Sequence, residues 1–185
     1  MASNRPLANK LGDLKLAAQM VGGSLAERIP ASFRDTFLLR AFGYLKIPLL
    51  AMVSPTVVEL NGNRSVVCIP LRRKTKNHLG SMYFGALTIG ADCAGGLLGM
   101  YWIRKSGRNI SFVFKDFKAE FLKRPEADVH FVCEDGPAVE SLVDKVISSY
   151  ERENLPLNIV ATVPSLSGDT PVAKFVLTLS LKLKK

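Results

Sequence analysis

A chain of 185 residues, 48% hydrophobic and 22% charged, can bury one sizeable core, is too short for two ordinary domains and is too apolar to be disordered. Lys and Arg number 25 against 16 Asp and Glu, a formal charge of +9. That balance disfavours cationic ligands and suits nucleic acid, a lipid headgroup or a phosphorylated cofactor, although solubility alone would also account for it.

The first stretch, up to Met20, alternates charged and apolar residues and has no continuous apolar core. It is not expected to be a secretory signal. Leu11, Leu14, Leu16 and Ala18 fit a short amphipathic helix lying on the domain or on a membrane surface. Residues up to about 54 read as two or three short helices broken at Gly22-Gly23, Pro30 and Pro48. They form an N-terminal helical extension, with one main domain spanning 55–185.

Val57 to Leu60 reads as a strand, Asn61-Gly62-Asn63 as a tight turn and Ser65 to Leu71 as the returning strand. A long apolar run follows, with Ser81 as a candidate N-cap. From Asn109 the alternation is two-residue. Ile110, Phe112 and Phe114 share one phase, and Phe117, Ala119 and Phe121 the other, so a bulge is expected at Lys115-Asp116. Val129, Phe131 and Cys133 give a further strand. Leu142, Val143, Val146, Ile147 and Tyr150 then mark a helical stripe read as core packing. Leu157, Ile159, Ala161 and Val163 alternate again. In the last strand Ala173, Phe175, Leu177, Leu179, Leu181 and Leu183 face in, while Lys174, Thr178, Ser180, Lys182 and Lys184 face out. One dry face and one wet face predict an antiparallel sheet packed on one side. The expected class is α+β, with the long apolar helix filling the sheet.

Between Leu79 and Ile103 the only charged residue is Asp92. A carboxylate inside an apolar helix loses hydration, so Asp92 is the leading candidate for chemistry. The glycines of this run (Gly85, Gly90, Gly95, Gly96, Gly99) each cost roughly 0.5–1 kcal/mol against alanine in a helix, which close approach of strands to the helix backbone would offset. A membrane-spanning role for the same run is the weaker alternative, because the flanking hairpin and sheet patterns belong to a domain folded outside the bilayer.

Cys68, Cys93 and Cys133 are odd in number and widely spaced, and His78 and His130 have no ligand-spaced neighbours. No metal site is expected. Buried free thiols suit a reducing compartment, and a cytoplasmic location is expected.

Two segments carry a family resemblance. Asn77-His78-Leu79-Gly80-Ser81-Met82-Tyr83-Phe84-Gly85-Ala86-Leu87 with Ala91-Asp92, and Phe117-Lys118-Ala119-Glu120-Phe121-Leu122-Lys123-Arg124-Pro125, resemble the hotdog-fold thioesterases of the PaaI-like group. The resemblance runs from about Pro55 to Lys185 and is nearest to a poorly characterised, domain-of-unknown-function branch. It implies an antiparallel sheet wrapped around a long central helix, paired as a homodimer or dimer of dimers. It also implies hydrolysis of an acyl-CoA or acyl carrier protein thioester at the dimer interface. Coenzyme A would enter as part of the substrate, with no separate cofactor.

By the same resemblance Asp92 is the general base or nucleophile, the Phe84 and Gly85 N–H groups hold the oxyanion, and Asn77 positions water; His78 is a weaker candidate. Tyr83-Phe84-Gly85 stands where the family often has His-Gly-Gly. Tyr83 could donate in place of the histidine, while Phe84 adds bulk. That departure favours the alternative of a non-catalytic acyl-CoA or lipid-binding protein. Arg72, Arg73, Lys76, Arg104, Lys123 and Arg124 are the candidate contacts for coenzyme A phosphates. Aromatic residues are not interleaved with these cations, so no nucleic-acid partner is expected; peripheral membrane contact stays open.

Overall fold

The computed structural model describes residues 30–184. The expected amphipathic segment before Met20 and the break at Gly22-Gly23 lie outside them. Ala31–Lys46 forms α1 and Pro48–Met52 forms α2. Pro48 opens α2, where a missing N–H costs nothing. The hairpin follows as β1 (Thr56–Leu60) and β2 (Ser65–Ile69). Its turn is closed by the Asn61 side-chain oxygen, which accepts the N–H groups of Asn63 (2.8 Å) and Arg64 (3.0 Å).

The apolar run becomes α3 (Phe84–Ser106), ended by Gly107 in the left-handed region at φ 64°. Then come β3 (Ile110–Phe121), β4 (Val129–Cys133), α4 (Gly136–Ser149), β5 (Glu153–Val163), the short α5 (Pro164–Ser167) and β6 (Gly168–Leu183). The strands make one six-stranded antiparallel sheet in the order β1-β2-β4-β5-β6-β3. Helix α3 packs across one face, with α4 beside it against β5 and β6. This is the hotdog arrangement expected above.

The register explains the two phases of β3. Its pairing with β6 shifts between Phe114 and Phe117. The shift keeps both aromatic sets on the helix side: Phe112 and Phe114 lie beside α3, and Phe117 and Phe121 pack on Phe175 at ring-centroid distances of 5.7 and 6.1 Å. Strands β1 and β3 are the sheet's edges. The edge at β1 is partly capped by α1, whose Thr36 hydroxyl accepts the Val57 N–H at 2.8 Å, while Arg40 Nε donates to the Pro55 carbonyl at 2.8 Å.

Two ties hold α3 in register with the hairpin. The buried Ser65 hydroxyl donates to the Ala94 carbonyl at 2.6 Å, and Trp102 Nε1 donates to the Gly62 carbonyl at 3.0 Å. By length and composition α3 could cross a membrane. Here Ala91, Ala94 and Leu98 are fully enclosed by the sheet, and the helix serves as the core of the domain.

Three expectations need correction. Ser81 does not cap α3: the N-cap is Tyr83, with no side-chain cap, and the Asn77 side chain donates to the Ser81 hydroxyl instead. Tyr150 is not core. It ends α4 in the left-handed region at φ 59° and is 70% exposed, because the stripe points inward only as far as Ile147. Ser180 is not on the wet face in practice: it is buried and accepts a hydrogen bond from Arg152 Nη1 at 3.0 Å.

Candidate active site

The start of α3 is held from both sides. The Thr75 hydroxyl accepts the Arg72 N–H and donates to the Pro70 carbonyl, folding the loop before the helix. Tyr83 N–H then donates to the Thr75 carbonyl and Met82 N–H to the Pro125 carbonyl, each at 2.8 Å. The loop after β2 and the corner after β3 therefore meet at the helix entry. Asn77 spends its side chain within this loop, accepting the Leu79 N–H at 2.9 Å and donating to Ser81 at 3.0 Å.

Phe84 and Gly85 are the first residues of α3, and among the described residues their N–H groups have no hydrogen-bond acceptor. They form a ready donor pair at the positive end of a 23-residue helix. The Tyr83 and Phe84 rings pack together at 4.7 Å, and the Tyr83 ring also leans on Gly85, where a Cβ would lie 2.6 Å from it.

Asp92 lies two turns further along α3 and is partly buried. With Gly96 and Met100, each one turn on, it lines a cavity of about 570 Å³ between α1 and α3. Leu38, Leu39 and Phe42 of α1 form the opposite wall. Among the described residues nothing donates a hydrogen bond to the Asp92 carboxylate. Burial pushes its pKa above the ordinary aspartate value. An unpaired carboxylate beside apolar walls holds a proton more tightly than usual, which improves it as a base.

The candidate cations divide into two groups. Arg72, Arg73 and Lys76 belong to the loop before α3, and Lys123 and Arg124 to the corner whose next residue, Pro125, bonds Met82. Those five belong to the two segments that meet at the helix entry. Arg104 does not join them: it lies 12 residues beyond Asp92, about 18 Å along the helix axis, at the other end of the cavity.

No cluster of three metal-binding side chains occurs among the described residues. Cys93 and Cys133 are buried and Cys68 is half-buried, all free. Burial, with Asp128 nearby, pushes the Cys68 thiol up to about 11, and burial lowers the His130 pKa although the Asp128 carboxylate works against it. The thiols therefore stay protonated at neutral pH.

Sequence reasoning misses the α1 wall, because residues 1–54 read as an extension. The spacing of Leu38, Leu39 and Phe42 was the available signal.

An antiparallel sheet wrapped on a long central helix makes this chain a hotdog-type α+β domain. Comparison with known proteins places the chain further: it belongs to the family described as Domain of unknown function (DUF4442), which matches residues 36–178. No curated protein sequence is significantly similar to it. Among the solved structures that share the fold are three from different bacteria. One is a protein of unknown function from Pseudomonas aeruginosa, described as a probable thioesterase: TM-score 0.66, 21% identity, covering 80% of this chain and 96% of that one. Another, of unknown function, comes from Chlorobaculum tepidum: TM-score 0.70, 13% identity, 83% and 97% covered. The third is a mutant thioesterase enzyme from Staphylococcus aureus: TM-score 0.57, 14% identity, 73% and 98% covered.

Proposed function

We propose that the protein is a homodimeric thioesterase of the PaaI-like type, cleaving an acyl thioester of coenzyme A or acyl carrier protein. The observation that carries this reading is Asp92: without a hydrogen-bond donor among the described residues, raised in pKa by burial, and open to a largely apolar cavity on the central helix of a hotdog fold.

Phe84 N–H and Asp92 are eight residues apart, about 12 Å along one helix. One thioester cannot touch both in a single protomer. Two α3 helices side by side and antiparallel would bring the free N–H groups of one protomer to Asp92 of the partner subunit. Two such sites result from one two-fold axis. The open edge of β3, with Val113, Phe117 and Phe121 exposed, supplies the pairing surface.

In this site Asp92 takes a proton from water, and the hydroxide attacks the thioester carbonyl carbon. The carbonyl electrons move onto oxygen, where the Phe84 and Gly85 N–H groups hold the negative charge. Collapse breaks the carbon–sulfur bond. The thiolate leaves with the proton carried by Asp92, giving a carboxylic acid and a free thiol. The five cations from the two segments at the helix entry would hold the coenzyme's phosphates.

A second reading, of an acyl-CoA or lipid-binding protein without turnover, is favoured by the Tyr83–Phe84 ring pair crowding the donor groups. Release of free thiol from a panel of acyl-CoAs, with Asp92→Asn as control, separates the two. Turnover lost in the variant supports hydrolysis. Tight binding with no thiol released supports the second reading.

A further inference from the structure

Helix α1 is apolar on two sides. Its inner side, with Leu38, Leu39 and Phe42, walls the Asp92 cavity. Phe33, Phe37 and Tyr44 fall within about 40° of one another around the helix axis, yet are 70%, 62% and 77% exposed. Leu45, Leu49 and Met52 continue this surface onto α2, each more than half exposed. Nine of the eighteen large apolar side chains exposed among the described residues fall between Phe33 and Val58. A concentration of this kind marks an interaction surface.

Pairing through β3 would not cover it, because β1 and β3 are opposite edges of the sheet and α1 lies on β1. The charge around the surface indicates what does. From Thr36 to Val58 the chain carries Arg40 and Lys46 and no acid, within a chain of net charge +9. The acid just before, Asp35, is paired with Arg34 at 3.7 Å. A second copy docking here would set like charges face to face. A lipid surface with anionic headgroups accepts both the apolar side chains and the cations. The surface also reaches the cavity, since Phe42 and Ile47 line the cavity and are exposed at its mouth.

We infer that α1 and α2 form a docking surface for an anionic membrane, seating the cavity mouth against the lipid. The inference stands apart from any catalytic activity and is tested without turnover. The full chain is sedimented with vesicles of phosphatidylcholine alone or mixed with phosphatidylglycerol. The expected result is binding to the mixed vesicles and roughly tenfold weaker binding to phosphatidylcholine. The combined variant Phe33→Ser, Phe37→Ser, Tyr44→Ser should lose at least roughly tenfold in vesicle binding, since burial of even one Phe side chain is worth that much. Its melting temperature and oligomeric size should not change.

Failure of the native chain to bind the mixed vesicles overturns the inference, as does a combined variant that binds as well as the native chain. A variant of smaller oligomeric size would assign the surface to a second copy instead. Should the combined variant not fold, Phe37→Trp gives an independent readout: its emission must shift to the blue with anionic vesicles, and an unchanged spectrum rejects the inference.

Discussion

Gly90 of α3 lies so close to the ring of Phe131 on β4 that a Cβ at this position would overlap the ring's edge. Phe131 is fully buried and packs in turn on Phe175 at 6.2 Å, so the ring has no room to retreat. Helix and sheet are drawn together here by the absence of a single methyl group. Gly90→Ala should therefore destabilise the fold by about 1–3 kcal/mol, even though alanine is the better helix former. Urea unfolding measures this. Combining the change with Phe131→Leu should cost less than the two single changes added together, the mark of a direct contact.

The two-residue alternation of β4, β5 and β6 made the sheet legible, because each strand has one dry face and one wet face. The exceptions have local causes. Ser180 sits at a wet-face position, but Arg152 reaches across from the start of β5 and covers it, a contact that no periodicity encodes. Tyr150 continues the spacing of α4 by one step after the backbone has left the helix. Asp92 was legible as a lone charge in an apolar run. The cavity beside it was not, because its far wall comes from α1, some fifty residues away in the chain. A helical spacing shows that α1 has an apolar face and not what that face meets.

The open edge of β3 gives a prediction about assembly. Val113 is 52% exposed in the middle of this edge strand. A lysine there adds a charge that edge strands use against pairing. In size-exclusion chromatography Val113→Lys should elute as a monomer where the native chain elutes as a dimer. Thiol release should fall with it, because the proposed site needs two protomers. A monomeric variant with full turnover would show that one chain suffices.

Asp92→Asn should cut thiol release by roughly 10²–10⁴, the usual contribution of a general base. The same change should leave the protein at least as stable at neutral pH. Burial raises the native-state pKa of Asp92 above its unfolded value, so the native state binds the proton more tightly. Stability from this group is complete below the unfolded pKa and declines as pH rises through the native one. Once the carboxylate is ionised, its burial opposes folding. Asparagine removes that charge, and a rise in melting temperature of about 2–4 °C corresponds to 1 kcal/mol in a domain of this size. In the native protein, any turnover should increase with pH to a midpoint above the ordinary aspartate range, and this limb should vanish in the variant. A variant that melts lower and turns over normally would make Asp92 a structural residue.

The donor role of the Phe84 N–H can be tested by a substitution that the helix tolerates. Phe84 is the first residue of α3, where proline is well accommodated because the N–H there has no partner within the helix. The preceding residue, Tyr83, has φ −68° and ψ 139°, an extended conformation compatible with a following proline. Phe84→Pro therefore removes one hydrogen-bond donor while leaving the helix start intact. Phe84→Ala removes the same aromatic ring and keeps the donor. Loss of one oxyanion donor costs roughly 10²–10³ in kcat, so the proline variant should fall by that factor below the alanine variant. The alanine variant, freed of the ring beside Tyr83, should match or exceed the native chain on bulky acyl groups. Equal kcat for the two variants, with matching melting temperatures, would move the oxyanion to another donor.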